Sequence, residues 1–292
     1  MPTVDQLLRS RARARGSVPL WILEKDYALA YLLAGMAQIP ALSNALVLKG
    51  GTALRKFYFA DYRFSEDLDF SLLKPLPEAD AAIQAGVAAA GRLLLEQGPF
   101  DIWVERLELR EPHPGGQDAF TVRLRFPSHR EALCRLKVEI THDEAVLVPP
   151  PLRALAHPYP GPLKADWHCY ALEEIVAEKL RALLQSRARL HDRGWGASRV
   201  CRDYYDLWYL LTHSALGLAQ LPRLLASKCA LRGVTFTGCG DFLAPELRAV
   251  AEAEWARQLL PFVPGGPTAE TVLVELAEQL LALPLEGPVP AS

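Results

Sequence analysis

LKGGTALRKFYFADYRFSEDLDF, residues 48–70, is the stretch on which the fold turns. A short apolar strand over 45–48 runs into Lys49-Gly50-Gly51-Thr52, and the spacing predicts a helix over 53–59. A second strand is predicted over 67–72. On it Asp67 and Asp69 point to one face, and Leu68 and Phe70 to the other. The two acidic Cα atoms then lie about 6.5 Å apart, and such like charges repel. A divalent cation removes that cost, and Mg²⁺ takes a few carboxylate oxygens together with phosphate oxygens and water. Glycines before a helix let the backbone approach phosphate oxygens, and N–H groups at the helix start favour anions. Gly50-Gly51-Thr52 lacks the Gly-Lys-Ser/Thr of a Walker A loop. Taken alone, the Asp-Leu-Asp run is a solvated strand end and the Gly-Gly-Thr turn is a helix start with Thr52 near the cap. Together, about fifteen residues apart, they describe a phosphate cradle facing a metal site.

Outward from this stretch, a helix is predicted over 21–38 and an alanine- and leucine-rich one over roughly 78–97. Strands follow at 102–109, 120–126 and 136–140. Phe120, Val122, Leu124 and Phe126 alternate with Thr121, Arg123 and Arg125, as in a half-buried strand. Residues 111–117 suit a hairpin connection. On the last strand Glu139 shares the polar face with Lys137 and Thr141. Glu139 is the best third carboxylate for a two-metal site, with Asp143 in reserve. Pairing with Lys137 explains it equally well. Residues 149–162 hold six prolines, so they read as a linker or irregular crossover. Beyond them helices are predicted at about 170–190, 203–213, 217–228, 244–262 and 268–283, with a frayed end over 284–292. The reading is therefore an α+β domain over 1–150 followed by a mainly helical C-terminal domain over 163–292.

On the 170–190 helix, Leu172, Ile175, Val176, Leu180, Leu183 and Leu184 form an apolar face, and Lys179 falls inside it. Glu174, Glu178 and Arg181 fall opposite. A lysine in such a stripe commonly snorkels from its edge. Asp203 and Asp206 share one face of the next helix, where Asp203 also suits an N-cap. Arg187, Arg189, Arg193, Arg199 and Arg202 join the two helices. A charge run of this kind is usually a solvated loop, and it also suits RNA or nucleotide phosphates. Trp195 and Tyr204 nearby would either stack on bases or pack.

Residues 48–70 resemble the signature of the AbiEii/AbiGii toxins, nucleotidyltransferase-fold toxins of bacterial toxin–antitoxin and phage-defence systems, to which the MenT toxins belong. EEIVAEKLRALLQSR (173–187) resembles the family's lysine-bearing helix, and RDYYDLWYLL (202–211) its Asp-containing motif. The resemblance spans about residues 20–283. It implies a nucleotidyltransferase-like mixed sheet and transfer of an NMP from an NTP to an RNA acceptor, the tRNA 3′ end, with release of pyrophosphate. Asp67, Asp69 and Glu139 would bind Mg²⁺. Gly50, Gly51, Thr52 and Ser65 would line the nucleotide. Lys179 would hold the triphosphate, and Asp203 or Asp206 would orient it. It also implies a cognate antitoxin partner, and phosphorylation of Ser65 would block the site by adding charge beside the carboxylates. Thr52 stands where many nucleotidyltransferases carry serine, and the hydroxyl is kept. A nucleotide-binding regulator without turnover, and transfer to a protein or small molecule, are the rival readings.

Composition fits this frame. The chain has 292 residues, half of them hydrophobic and 23% charged, which predicts a sizeable core rather than disorder. Glu24, Lys25 and Asp26 interrupt the most apolar early stretch, so no membrane span or signal peptide is expected after Arg9, Arg11, Arg13 and Arg15. Five scattered cysteines suit a reducing cytoplasm, and a net charge of −2 excludes a globally basic nucleic-acid binder.

Overall fold

The computed structural model describes residues 2–16, 18–109 and 111–285. Two compact units result, the first running to Tyr170 and the second starting at Ala171. The first holds α1 (Val4–Ala14), α2 (Leu20–Ala37), α3 (Pro40–Ala45), β1 (Leu46–Lys49), α4 (Gly50–Ala53), β2 (Asp67–Leu72), α5 (Ala79–Leu95), β3 (Asp101–Arg106), β4 (Gln117–Arg125), β5 (Cys134–Thr141), β6 (Leu152–Ala154) and β7 (Asp166–His168). Five strands form a mixed sheet in the order β1-β2-β5-β4-β3. Only β2 and β5 run parallel within it.

Strand alternation sorts the sheet into two faces. Leu48, Leu68, Phe70, Leu136, Val138, Phe120, Val122 and Leu124 are buried on one. Helix α5 covers that face closely enough that a Cβ at Gly91 would come 2.9 Å from Ile102. Helix α2 is buried around nearly its whole circumference, as an apolar helix inside a core must be. Its Gly35 lets α5 approach: a Cβ there would sit 2.3 Å from the main-chain N of Ala90. The opposite sheet face carries Asp67, Asp69, Lys137, Glu139, Thr121, Arg123 and Trp103, and stays half-open.

Several expectations shift. The helix predicted from residue 53 begins at Gly50 and widens into a π-turn over Leu54–Tyr58, where the Phe59 N–H donates to the Leu54 carbonyl at 2.9 Å. That segment brings Arg55 and Lys56 to buried Asp26, with Lys56 Nζ 2.8 Å from a carboxylate oxygen. The Arg-rich start is helix α1, closed by a Thr3/Gln6 capping box. The proline-rich stretch is not wholly irregular: β6 pairs with β7, and the N–H of Tyr170 donates to Leu48 on the outer edge of β1. The frayed end expected over 284–292 lies outside the described residues from 286 onward.

The second unit holds α6 (Leu172–Arg193), α7 (Val200–His213), α8 (Leu221–Leu231), α9 (Pro245–Gln258) and α10 (Ala269–Leu281). Gly194, at φ 72°, closes α6 in the left-handed conformation that favours glycine. Glu174 and Arg181, predicted on a polar face of α6, are instead buried. For Glu174 the reason lies on α8, where Lys228 meets it at 2.9 Å with both side chains fully enclosed. Helix α6 is therefore flanked by packing partners, α7 and α8. No helix among the described residues is long and apolar enough to cross a membrane.

Candidate functional site

The first unit brings the glycine turn and the acidic strand into contact. Gly50 has φ 71°, and a Cβ there would lie 2.8 Å from Oδ2 of Asp69, so only glycine fits. At Gly51 a Cβ would lie 2.8 Å from the Arg63 guanidinium and 3.1 Å from Oγ of Ser65. Asp67 and Asp69 occupy the same half-open face of β2, as alternation predicts. Register sets Lys49 beside Asp69 on one flank and Glu139 beside it on the other. Thr52 is fully buried, and its hydroxyl donates to the carbonyl of Asp67. That bond ties the helix start to the head of β2, so the side chain predicted to hold phosphate is engaged within the fold. Sequence reasoning overlooked Arg63, a buried cation against the glycine turn. An arginine four residues before Asp67, after an aromatic run, was the available signal. It also overlooked the ion pair of Lys25 with Glu66 at 2.9 Å, which anchors the residue preceding Asp67.

The third carboxylate is placed less simply. Glu139 lies next to Asp69 in register, yet its Oε1 accepts from Lys137 Nζ at 2.8 Å. Asp143 is exposed four residues further along, about 13 Å at strand rise. Among the described residues no group of three or more His, Cys, Asp or Glu is arranged to hold a metal ion. The donor set that remains, two carboxylates on one strand face, is the kind Mg²⁺ accepts when phosphate oxygens and water complete its shell. Mg²⁺ delivered with a triphosphate fits these residues, and a self-sufficient protein cage does not.

In the second unit Lys179 is held by both aspartates at once. Its Nζ lies 2.7 Å from Asp203 Oδ1 and 2.9 Å from Asp206 Oδ2. The Asp206 side chain is 0% exposed, whereas those of Lys179 and Asp203 keep 16% and 15%. Asp206 thus braces the lysine from inside, while Lys179 and Asp203 stay partly exposed. The helix spacing that placed Lys179 in an apolar stripe and Asp203 and Asp206 on one face accounts for this contact.

The arginine run divides. Arg187 is committed to Asp241 at 2.5 Å and Glu246 at 2.9 Å. Arg202 donates to the Gln258 carbonyl and stacks over Phe262. Arg189 donates to Ser186 and Gly196, and burial pulls its pKa down against the attraction of Asp203. Arg193 lies over the ring of Trp195, which is 63% exposed. Tyr204 is fully buried, its hydroxyl on the Phe242 carbonyl, so it packs and is not a stacking surface.

A family model described as "Nucleotidyl transferase AbiEii toxin, Type IV TA system" matches residues 31–281. The matched span takes in the glycine turn, the acidic strand, Lys179 and its two aspartates. No curated protein matches the chain significantly.

Proposed function

Because the chain belongs to the AbiEii family of nucleotidyl transferase toxins of type IV toxin–antitoxin systems, we propose that it transfers an NMP from an NTP to an RNA acceptor, the 3′ end of tRNA. The acceptor hydroxyl oxygen bonds to the α-phosphorus, the bond to the bridging oxygen breaks, and pyrophosphate leaves. The carrying observation is the close approach of Gly50 to Asp69, where a Cβ would lie 2.8 Å from the carboxylate, which sets the glycine turn against the acidic strand. In this reading Gly50, Gly51 and the main-chain N–H of Thr52 meet phosphate oxygens, with Ser65 beside them. Arg63 adds positive charge at the turn. Asp67 and Asp69 would hold Mg²⁺, with Glu139, paired here with Lys137, as the third carboxylate. When bound, Mg²⁺ neutralises phosphate charge and acidifies the attacking hydroxyl. Lys179, its ammonium fixed by Asp203 and Asp206, is the group this reading assigns to neutralising phosphate charge. The division of labour is between a catalytic domain, read from sequence as 1–150, and a helical domain, read as 163–292.

The family implies an NTP substrate and an antitoxin partner. Action on tRNA places the protein in the cytoplasm, consistent with a chain without a membrane-spanning helix among the described residues. Phosphorylation of Ser65 is the proposed means of blocking the turn, since it would add negative charge beside Gly51. The pairing of Glu139 with Lys137 favours one second reading, a nucleotide-binding regulator without turnover.

The test uses purified protein, Mg²⁺, each α-labelled NTP in turn and total tRNA, beside the Asp67→Ala/Asp69→Ala variant. Label enters tRNA with the wild type alone if the proposal holds. NTP binding without label in tRNA, protein or small molecules would replace it with the regulator.

A further inference from the structure

The open sheet face does not end at the acidic pair. Register places Arg135 of β5 directly opposite Arg123 of β4, and Arg123 directly opposite Trp103 of β3. The three side chains therefore form one row across three strands, about 10 Å long. Lys137, beside Asp67 in register, stands two residues along β5 from this row. The row begins roughly 7–8 Å from Asp67, the diagonal spacing between neighbouring strands.

This arrangement is costly without a ligand. Like charges directly opposite on an exposed sheet face destabilise it. Glu105 offsets part of the charge, 2.9 Å from Arg123. Nε of Arg123 nonetheless has no hydrogen-bond partner, and Arg135 is exposed with no ion pair among the described residues. Trp103 keeps 39% of its surface in solvent beside them, too much for an indole serving only as core. Two guanidiniums that share an anion, next to a free aromatic face, match a nucleotide phosphate and its base.

We propose that the Arg135–Arg123–Trp103 row is the subsite for the single-stranded 3′ end of the acceptor RNA, with the guanidiniums on a phosphate and the indole on a base. This rests on the transferase reading and extends it, since it states which way the acceptor leaves the Asp67–Asp69 site along the sheet. The chain's net charge of −2 is no obstacle, because the contact needs only the two guanidiniums of the row, with Arg125 and Lys137 paired to Asp101 and Glu139 on the same face.

The test is anisotropy of a labelled RNA stem-loop with an unpaired 3′ tail, against a tail-less version, over a salt series. It uses full-length wild type, Arg123→Gln/Arg135→Gln, Arg135→Gln alone, Trp103→Ala and Trp103→Phe, with Mg·NTP affinity measured for each. The double arginine variant should weaken tailed RNA about tenfold or more and flatten the salt slope by about two. Trp103→Ala should cost about tenfold, and Trp103→Phe should restore most of it. NTP affinity should stay within about twofold, and tail-less RNA should not distinguish the proteins. Arg135→Gln, at an exposed unpaired position, guards against a folding artefact. Unchanged RNA affinity and slope in the arginine variants would overturn the subsite, as would an equal loss for tailed and tail-less RNA. Label transfer by variants as fast as wild type, at equal RNA KM, would sink the subsite and leave the reaction. Tail-specific RNA binding through the row without any label transfer would sink the reaction and leave the subsite.

Discussion

Two lysines of the helical unit interrupt apolar stripes in the same manner and end in opposite environments. Lys228, among Leu221, Leu224, Leu225 and Cys229, is sealed against Glu174 with neither side chain exposed. Lys179, among Ile175, Val176 and Leu180, keeps 16% exposure and is braced by two aspartates. A sealed pair can serve only the fold, whereas an open, braced ammonium can meet an anion. The difference is exposure of the side chain, and helix spacing alone does not encode it.

The largest expected effect tests the sealed side. Lys228→Ala strips buried Glu174 of its lysine and should cost about 3–5 kcal/mol in denaturant unfolding. The Glu174→Gln/Lys228→Met double variant should recover most of that, because two buried charges vanish together. Next comes the open side. Lys179→Met should lower nucleotidyl transfer about 10²–10³-fold and, by leaving buried Asp206 without its cation, should also lower the Tm. Equal activity losses from Lys179→Met and from a refolded Lys228 variant would erase the distinction.

A third buried cluster, in the first unit, sharpens the contrast through pH. Burial alone would raise the Asp26 carboxyl, but Lys56 and Arg55 outweigh it and hold its pKa at about 2. Burial pushes His157 down to about 4, and neither ring nitrogen has a hydrogen-bond partner among the described residues. Both folded pKa values lie below the unfolded ones, so the unfolded chain binds more protons and stability is lost as the pH drops. His157 acts from about pH 6.5 down to 4, and Asp26 from about 4 down to 2. A loss on the order of 2 kcal/mol is expected for Asp26. His157→Phe should flatten the upper limb in thermal melts, and an unchanged limb would count against this assignment.

The smallest effect separates the two braces of Lys179. Asp206→Asn, at a fully buried carboxylate, should cost about 1 kcal/mol more than Asp203→Asn at its part-exposed neighbour. Calorimetric melts that rank them in reverse would mean that Asp206 is not the inner brace.

What sequence revealed followed how local the signal was. The Asp67–Leu72 strand and its two-faced alternation depend on neighbours within a few residues, and they stand as read, whereas the helix expected after Thr52 already starts at Gly50. Lys179 and its aspartates were legible because both helices keep a 3.6-residue period. Helix α1 escaped because only Val4 and Leu8 are buried in it, too few to show a stripe. Strands β6 and β7 span three residues each, shorter than any alternation test. The choice between metal and Lys137 as partner of Glu139 could not be read, because both side chains share one strand face. Glu174 was assigned to solvent because its partner sits 54 positions away, on α8.

The central claim is that Asp67 and Asp69 receive a Mg²⁺-bound triphosphate at the Gly50 turn. Titration calorimetry of NTP with and without Mg²⁺, on wild type and on Asp67→Asn/Asp69→Asn, addresses it most directly. The account predicts that Mg²⁺ tightens NTP binding to the wild type and not to the variant, with both proteins melting alike. Equal Mg²⁺-dependent binding by the two proteins would contradict it.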